Sequence, residues 1–284
     1  MKLITIAVNG RPAAAIAQDR TRARVFGSAA APRFTDVGEI LRGGYLDDPA
    51  ALDASASEAV SYEDADLLAP VLEPGAVFCV GLNYRSHILE MGRGLPEAPT
   101  IFDKLPRALT APFADLKIPA AGSKRLDYEG EFCVVIGKGG RNIPVDEALS
   151  AVAGYSVLND ITMRDFQQRS MQWLAGKSWQ SSTPWGPAVV TRDEYTDISS
   201  PSLLVTVNGE KRQQAQIGDL VFGVADLVSD LSTIVELRPG DLIATGTPGG
   251  VGEAMEPKGY LTDGDVVEVS IDGLGSIRST VVFE

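Results

Sequence analysis

The chain has 284 residues, with 38 acidic and 25 basic side chains, a formal net charge of −13 and 44% hydrophobic residues. This is enough for one large domain with a smaller companion and a substantial core. The acidic balance argues against nucleic-acid binding and docking on anionic membranes, and an anionic substrate would need local cations or a metal to offset that field.

In chain order, residues 1–67 read as a small N-terminal domain and 68–284 as the main one. The opening MKLITIAVNG alternates like a strand and lacks the apolar core of a signal peptide. Ile4, Ala7 and residues 14–17 read as short strands, and Asp36 to Leu41 opens a helix. Residues 53–66 are acidic and rich in Ala and Ser, and read as a connector. No apolar stretch approaches the ~18 residues a membrane span needs. Cys79 and Cys133 lie in apolar runs as reduced core residues, so a cytoplasmic protein is expected.

The main domain is dominated by strand signals punctuated by Gly and Pro. Strands are expected at 76–81, 127–137, 154–162, 188–191, 203–208, 241–244 and 265–271. Asn208-Gly209 marks a hairpin turn. Val224, Leu227, Val228, Leu231 and Val235 follow helical spacing, and a shorter helix is expected at 145–152. The pattern predicts a β-rich α+β fold and argues against a doubly wound parallel sheet.

The most informative segment is Asp127-Tyr128-Glu129-Gly130-Glu131-Phe132-Cys133. In one strand, Glu129 and Glu131 point to the same face, at the end of a row that continues with Cys133 and Val135. Two carboxylates there repel and resist burial unless a divalent cation joins them, and an all-oxygen ligand set suits Mg²⁺, Mn²⁺ or Ca²⁺. A solvated edge strand with two unremarkable glutamates is the other reading. Asp160, which ends a second apolar strand, strengthens the metal reading and leaves the two level. Arg164 and Gln167, at i and i+3 on the turn that follows, either hold a substrate's acid and keto oxygens or make an ordinary surface pair.

His87 is the only histidine, with Glu90 three residues on, where a helical turn would let the carboxylate orient the imidazole as a general base. Gly81 and residues 92–96 flank the segment, which suits a lid, although a lone histidine is more often incidental. The glycine-rich run Thr245-Gly246-Thr247-Pro248-Gly249-Gly250 lacks the Gly-Lys-Ser/Thr of a P-loop, but its amides and Thr247 could hold a carboxylate. Lys177 offers a cation among Trp173, Trp179 and Trp185.

Taken together, GLNYRSH, IFDK, DYEGEF, GYSVLNDIT with RDFQ, GKSWQSSTPWGP, VNGEKRQ, LRPGD and TGTPGGVG resemble, in order, the fumarylacetoacetate hydrolase family across residues 70–284. The resemblance implies a β-sandwich-like roll behind a small N-terminal domain, usually dimeric. It implies Glu129, Glu131 and Asp160 as ligands of Mg²⁺ or Mn²⁺ (Ca²⁺ in a crystal), with His87 and Glu90 as a catalytic dyad on the lid. Lys177 would join the catalysis, Arg164, Gln167 and Thr247 would hold substrate, and Lys104 is a further candidate for that pocket. Ser86, Gly130, Met163 and Trp185 depart from the commoner family pattern and bear on the substrate. The expected activity is metal-dependent hydrolysis of a C–C bond in a small 2,4-dioxo acid, an acylpyruvate of aromatic catabolism. Here His87 activates water while Lys177, Arg164 and Gln167 orient the acid. The competing expectations are oxaloacetate decarboxylation or hydroxymuconate isomerisation on the same scaffold, and a non-catalytic keto-acid-binding dimer.

Overall fold

A computed structural model describes residues 1–90, 92, 94–119 and 124–284, the side chain of Glu90 excepted. The N-terminal strands β1 (Lys2–Val8), β2 (Arg11–Ala17) and β3 (Arg22–Phe26) form an antiparallel meander. Helix α1 (Val37–Arg42) follows, with the Asp36 carboxylate accepting the Glu39 N–H at its start. The expected connector instead folds into α2 (Pro49–Ser55) and β4 (Ala56–Ser61), which pairs with β3 at the edge of the sheet. Ser57, Glu58, Ala59 and Ser61 are exposed, so this edge strand stands largely in water.

Strand β5 (Leu67–Leu68) pairs with β1, and β6 (Val77–Gly81) leads into α3 (Arg85–Glu90). Next come β7 (Thr100–Asp103), β8 (Leu109–Thr110), β9 (Leu116–Ile118), β10 (Leu126–Asp127) and β11 (Gly130–Ile136). The short helix α4 (Val145–Ala148) precedes β12 (Val152–Asn159) and β13 (Thr162–Met163). Two further turns of helix, α5 (Arg164–Gln167) and α6 (Leu174–Lys177), lead to β14 (Thr183–Thr191). The remainder is β15 (Ser202–Val207), β16 (Glu210–Gln216), α7 (Val224–Ile234), β17 (Leu242–Ala244), β18 (Val266–Ile271) and β19 (Gly275–Phe283).

The larger sheet runs β4-β3-β2-β1-β14-β12-β11-β17-β6-β7, so the N-terminal meander is continuous with the main sheet through Lys2↔Val190 and Leu3↔Val189. A five-stranded sheet, β16-β15-β18-β19-β9, packs over β11, β12 and β14. Between the sheets lies the main core, which includes Phe132, Tyr155, Val205, Val269 and Leu227 of α7. The architecture is the expected β-rich α+β fold. Asn208 (φ 53°) and Gly209 (φ 80°) make the β15–β16 turn. Cys79 and Cys133 are free and buried, and no helix among the described residues is long and apolar enough to cross a membrane.

One expected strand is interrupted. Residues 127–137 were expected as a single run, but the ladder breaks at Tyr128 and Glu129. Asp127 folds its carboxylate onto the Tyr128 N–H (2.9 Å), and the Glu129 N–H goes to the Asn159 side chain (3.0 Å). Glu129 therefore sits in a break beside Asp160, whose N–H donates to the Glu129 carbonyl (2.8 Å).

Candidate active site

The ends of β11 and β12 bring three carboxylates together. One oxygen each of Glu129, Glu131 and Asp160 lies within 4.8 Å of the others, and all three residues are buried. Glu129 and Glu131 meet through the strand break as well as through alternation.

Three buried cations surround them. Lys177 Nζ donates to Glu129 Oε2 (2.7 Å) and Asp160 Oδ2 (2.7 Å), and Lys104 Nζ donates to Asp160 Oδ1 (2.5 Å). Arg164 places NH2 on Glu129 Oε1 (2.6 Å) and Nε on Asp127 Oδ2 (2.8 Å). Burial works against the charge on Lys177, but Asp160 and Glu129 outweigh it and hold its pKa above the ordinary lysine value. Burial likewise opposes the Asp160 carboxylate, and Lys104 and Lys177 outweigh that to hold it below the ordinary range.

Glu131 is the carboxylate left over. It makes no ion pair among the described residues and accepts only the Gly246 N–H (2.9 Å). Burial, then Asp160 and Glu129, push its pKa well above the usual carboxylate value. An ion buried without a partner costs several kcal/mol even after relaxation, so Glu131 is either neutral or paired with an added cation. Lys177 offsets this only in part, and hard oxygen donors on three converging carboxylates, one without a direct ion pair, fit a divalent cation of the Mg²⁺ or Mn²⁺ type. The sign of the pH dependence follows. Only the ionised Glu131 is a ligand, so over the pH range in which its raised pKa keeps it protonated in the metal-free protein, Mn²⁺ binding releases a proton and its affinity rises with pH. Calorimetry of chelator-stripped protein in buffers of different ionisation enthalpy measures that proton, and an affinity independent of pH contradicts the assignment.

The triad opens onto a cavity of about 300 Å³ whose lining includes His87, Glu129, Arg164, Gln167, Lys177 and Thr247. Six of the ten predicted site residues line it. Glu131, Asp160 and Lys104 lie in the layer around it, and the Glu90 side chain lies outside the described residues. A larger cavity, about 580 Å³ beside the N-terminal strands, is lined by none of them. Arg164 NH1 donates to Gln167 Oε1 (3.1 Å), as the i, i+3 spacing predicts. Of the three tryptophans expected around Lys177, only Trp173 shares its cavity wall, packed on Phe102, whose ring lies 5.0 Å from Nζ; Trp179 packs on Phe166 and Trp185 lies in a separate core.

Half-buried His87 rides on α3, whose first turn is anchored. Asp219 Oδ2 accepts the Ser86 N–H (3.0 Å) and hydroxyl (2.5 Å), and the buried Asn83 side chain bonds to the Phe222 and Thr245 backbone. The expected lid spans residues 84–94, of which 91 and 93 lie outside the described residues. Gly246, expected to offer its amide to substrate, spends it on Glu131. The Thr247 hydroxyl donates to the Gly130 carbonyl (3.0 Å) and accepts from Gln213 Nε2 (2.8 Å).

Three residues of this region escaped the sequence reading. Asp127 sits behind Arg164. Gln213 clamps Gly130 and Pro248, accepting the Gly130 N–H (3.0 Å) and donating to the Pro248 carbonyl (2.8 Å). The buried Tyr84 hydroxyl has no hydrogen-bond partner among the described residues, and burial, with Glu131 nearby, raises its pKa. The only signal for Gln213 was its alternation position in an otherwise polar strand, and for Asp127 its place two residues before Glu129.

The family model for the fumarylacetoacetate (FAA) hydrolase C-terminal region matches residues 76–282. The chain is 38% identical over 224 residues to oxaloacetate tautomerase YisK of Bacillus subtilis, covering 78% of this chain and 74% of that protein. It is 41% identical over 216 residues to the mitochondrial oxaloacetate tautomerase Fahd2a of Rattus norvegicus, covering 76% and 69%. The fumarylacetoacetate hydrolase structure from Exiguobacterium antarcticum matches over 100% of both chains, with a TM-score of 0.87 and 34% identity. The chain belongs to the fumarylacetoacetate hydrolase family, and the similar proteins named above are enzymes.

Proposed function

We propose that the protein is a divalent-metal-dependent enzyme of small enolisable 2-oxo diacids, and that it interconverts the enol and keto forms of oxaloacetate. The observation carrying this reading is Glu131, without a direct ion pair among the described residues, in a carboxylate triad that adjoins a cavity shared by His87, Arg164 and Lys177. The tautomerase names of the Bacillus and rat relatives support the choice of reaction.

Glu129, Glu131 and Asp160 would hold Mg²⁺ or Mn²⁺, which would supply Lewis-acid stabilisation of developing negative charge. The protein groups do the rest. Arg164 has guanidinium N–H groups left after Asp127, Glu129 and Gln167 are satisfied, and with Gln167 it orients a substrate carboxylate. The Lys177 ammonium adds positive potential on the same wall. His87 moves the proton. It delivers one to C3 while the enol hydroxyl gives its own to solvent, which reprotonates the imidazole, and in the reverse direction it takes the proton from C3.

Hydrolysis of an acylpyruvate is the second reading. Val80, Phe102 and Trp173 give the cavity an apolar wall with room for an acyl tail, and the Exiguobacterium relative bears a hydrolase name. One set of assays separates the two. Enol oxaloacetate should ketonise faster with enzyme and Mn²⁺, with solvent deuterium entering C3, while acetylpyruvate is cleaved slowly or not at all. Efficient release of acetate and pyruvate with oxaloacetate exchange untouched would overturn the tautomerase reading. A cytoplasmic homodimer is part of the same proposal. Met171, Leu174 and Leu105 are exposed apolar side chains suited to a subunit contact, and light scattering tests the mass.

A further inference from the structure

Asp127 neither lines the cavity nor belongs to the carboxylate triad, yet three parts of the site hang from it. Its carboxylate is fully buried and accepts four hydrogen bonds. Oδ1 takes the N–H of Gly252 (2.7 Å) and of Tyr128 (2.9 Å). Oδ2 takes the N–H of Glu253 (2.9 Å) and Arg164 Nε (2.8 Å). Arg164 passes the connection on to Glu129 through NH2 and to Gln167 through NH1. One side chain thus joins the glycine-rich loop, which gives Thr247, Val251 and Glu253 to the cavity, to the α5 turn and to a triad carboxylate.

We propose that Asp127 is a positioning residue that presents the Arg164 guanidinium to the acid group of the substrate and sets the glycine-rich loop at a fixed distance from it. This rests on the reading that Arg164 meets a substrate carboxylate. With Nε held from behind, the planar guanidinium keeps its terminal nitrogens for Glu129, Gln167 and the cavity that Arg164 lines. The loop is built to reach the same carboxylate. A Cβ on Gly252 would stand 2.8 Å from Asp127 Oδ1 and 2.4 Å from the Gly259 carbonyl oxygen, so only glycine lets the backbone come this close. The outer end of the loop is held separately. Arg125 NH2 bonds both oxygens of Glu253 (2.9 and 2.8 Å), and the Tyr260 hydroxyl donates to Glu253. Loss of the Asp127 bonds therefore changes how the loop meets Arg164 without setting the loop free.

The test is Asp127→Asn, which keeps the shape. Its amide oxygen can still accept on one side, while its NH₂ is set against the Glu253 N–H and Arg164 Nε, two donors that then lose their acceptor. The readouts are Mn²⁺ affinity, oxalate affinity of the Mn²⁺-loaded protein, KM, kcat and thermal unfolding. Oxalate affinity should weaken, and KM rise, by about 10- to 100-fold, as loss of charge-assisted hydrogen bonds implies, with Mn²⁺ affinity and kcat near wild type. In an Arg164→Lys background the same change should add little, because lysine cannot hold Asp127 and Glu129 in the same fork. Unchanged oxalate affinity overturns the proposal. So does full additivity with Arg164→Lys, or a parallel collapse of Mn²⁺ binding, which would mark a merely structural residue. If the asparagine variant does not fold, Asp127→Ser, which leaves room for water, is put through the same measurements and judged by the same outcomes. Oxalate binding reads the Arg164 wall without turnover, so a wild type inactive on oxaloacetate would count against the proposed reaction and leave this inference to be decided by affinity.

Discussion

Glu131→Gln is expected to abolish Mn²⁺ binding and cut turnover by ~10³–10⁴-fold, the several kcal/mol that Lewis-acid stabilisation of charge supplies. The same variant should be no less stable than wild type when both are metal-free, and the sign follows from the electrostatics. The Glu131 pKa is raised above its ordinary value near 4.5, by burial first and then by Asp160 and Glu129. The neutral form is therefore the one the fold favours. Its contribution is complete below the ordinary value and is lost as pH rises through the raised one. Glutamine removes that penalty and can still accept the Gly246 N–H. Inactivity with preserved melting separates a metal ligand from a structural carboxylate. A variant that unfolds, or wild-type activity that survives exhaustive chelation, would sink the metal assignment.

His87→Gln should lose ~10²–10⁴-fold in kcat, the usual contribution of a positioned general acid or base, with Mn²⁺ and oxalate affinities little changed. The imidazole lines the cavity but is outside the carboxylate cluster, so the loss should fall on proton transfer alone. As the only histidine, its ring signals in NMR need no assignment. The pKa they report should coincide with a limb of the kcat/KM profile, and that limb should vanish in the variant. A variant retaining full deuterium exchange at C3 of oxaloacetate would remove His87 from the chemistry.

The parts of this site that were legible in the sequence are those governed by local physics. Glu129, Glu131 and Asp160 stood out because acids at the ends of apolar strands are costly, and Arg164 and Gln167 because i, i+3 spacing stacks side chains on one helical turn. Helix α7 and the Asn208-Gly209 hairpin carried equally local signals. What escaped depends on partners far along the chain. Asp127 meets Gly252 and Glu253 more than 120 residues away. Nothing local says that Lys104 and Lys177 both turn toward Asp160, leaving Glu131 unpaired. Strands β4 and β16 were missed because both lie at sheet edges and carry largely polar residues, so their sequences resemble loops. The break at Tyr128 and Glu129 arises when one side chain outcompetes the ladder for a single N–H, which a period-two reading cannot register.

The seam between β1 and β14 has a consequence for the order of assembly. Lys2 and Leu3 pair with Val190 and Val189, so the first strand must wait for a partner nearly two hundred residues downstream. Contacts this distant carry a large loop-closure cost and slow the search for the native state. Until they form, the β1–β4 meander has an open edge, and so does β14 once it has paired with β12. Both are templates for pairing between molecules, and they are exposed at the same stage of folding. Dilution and low temperature during refolding should therefore favour recovery, and removing the meander would leave the β14 edge permanently unpaired beside the active-site strands.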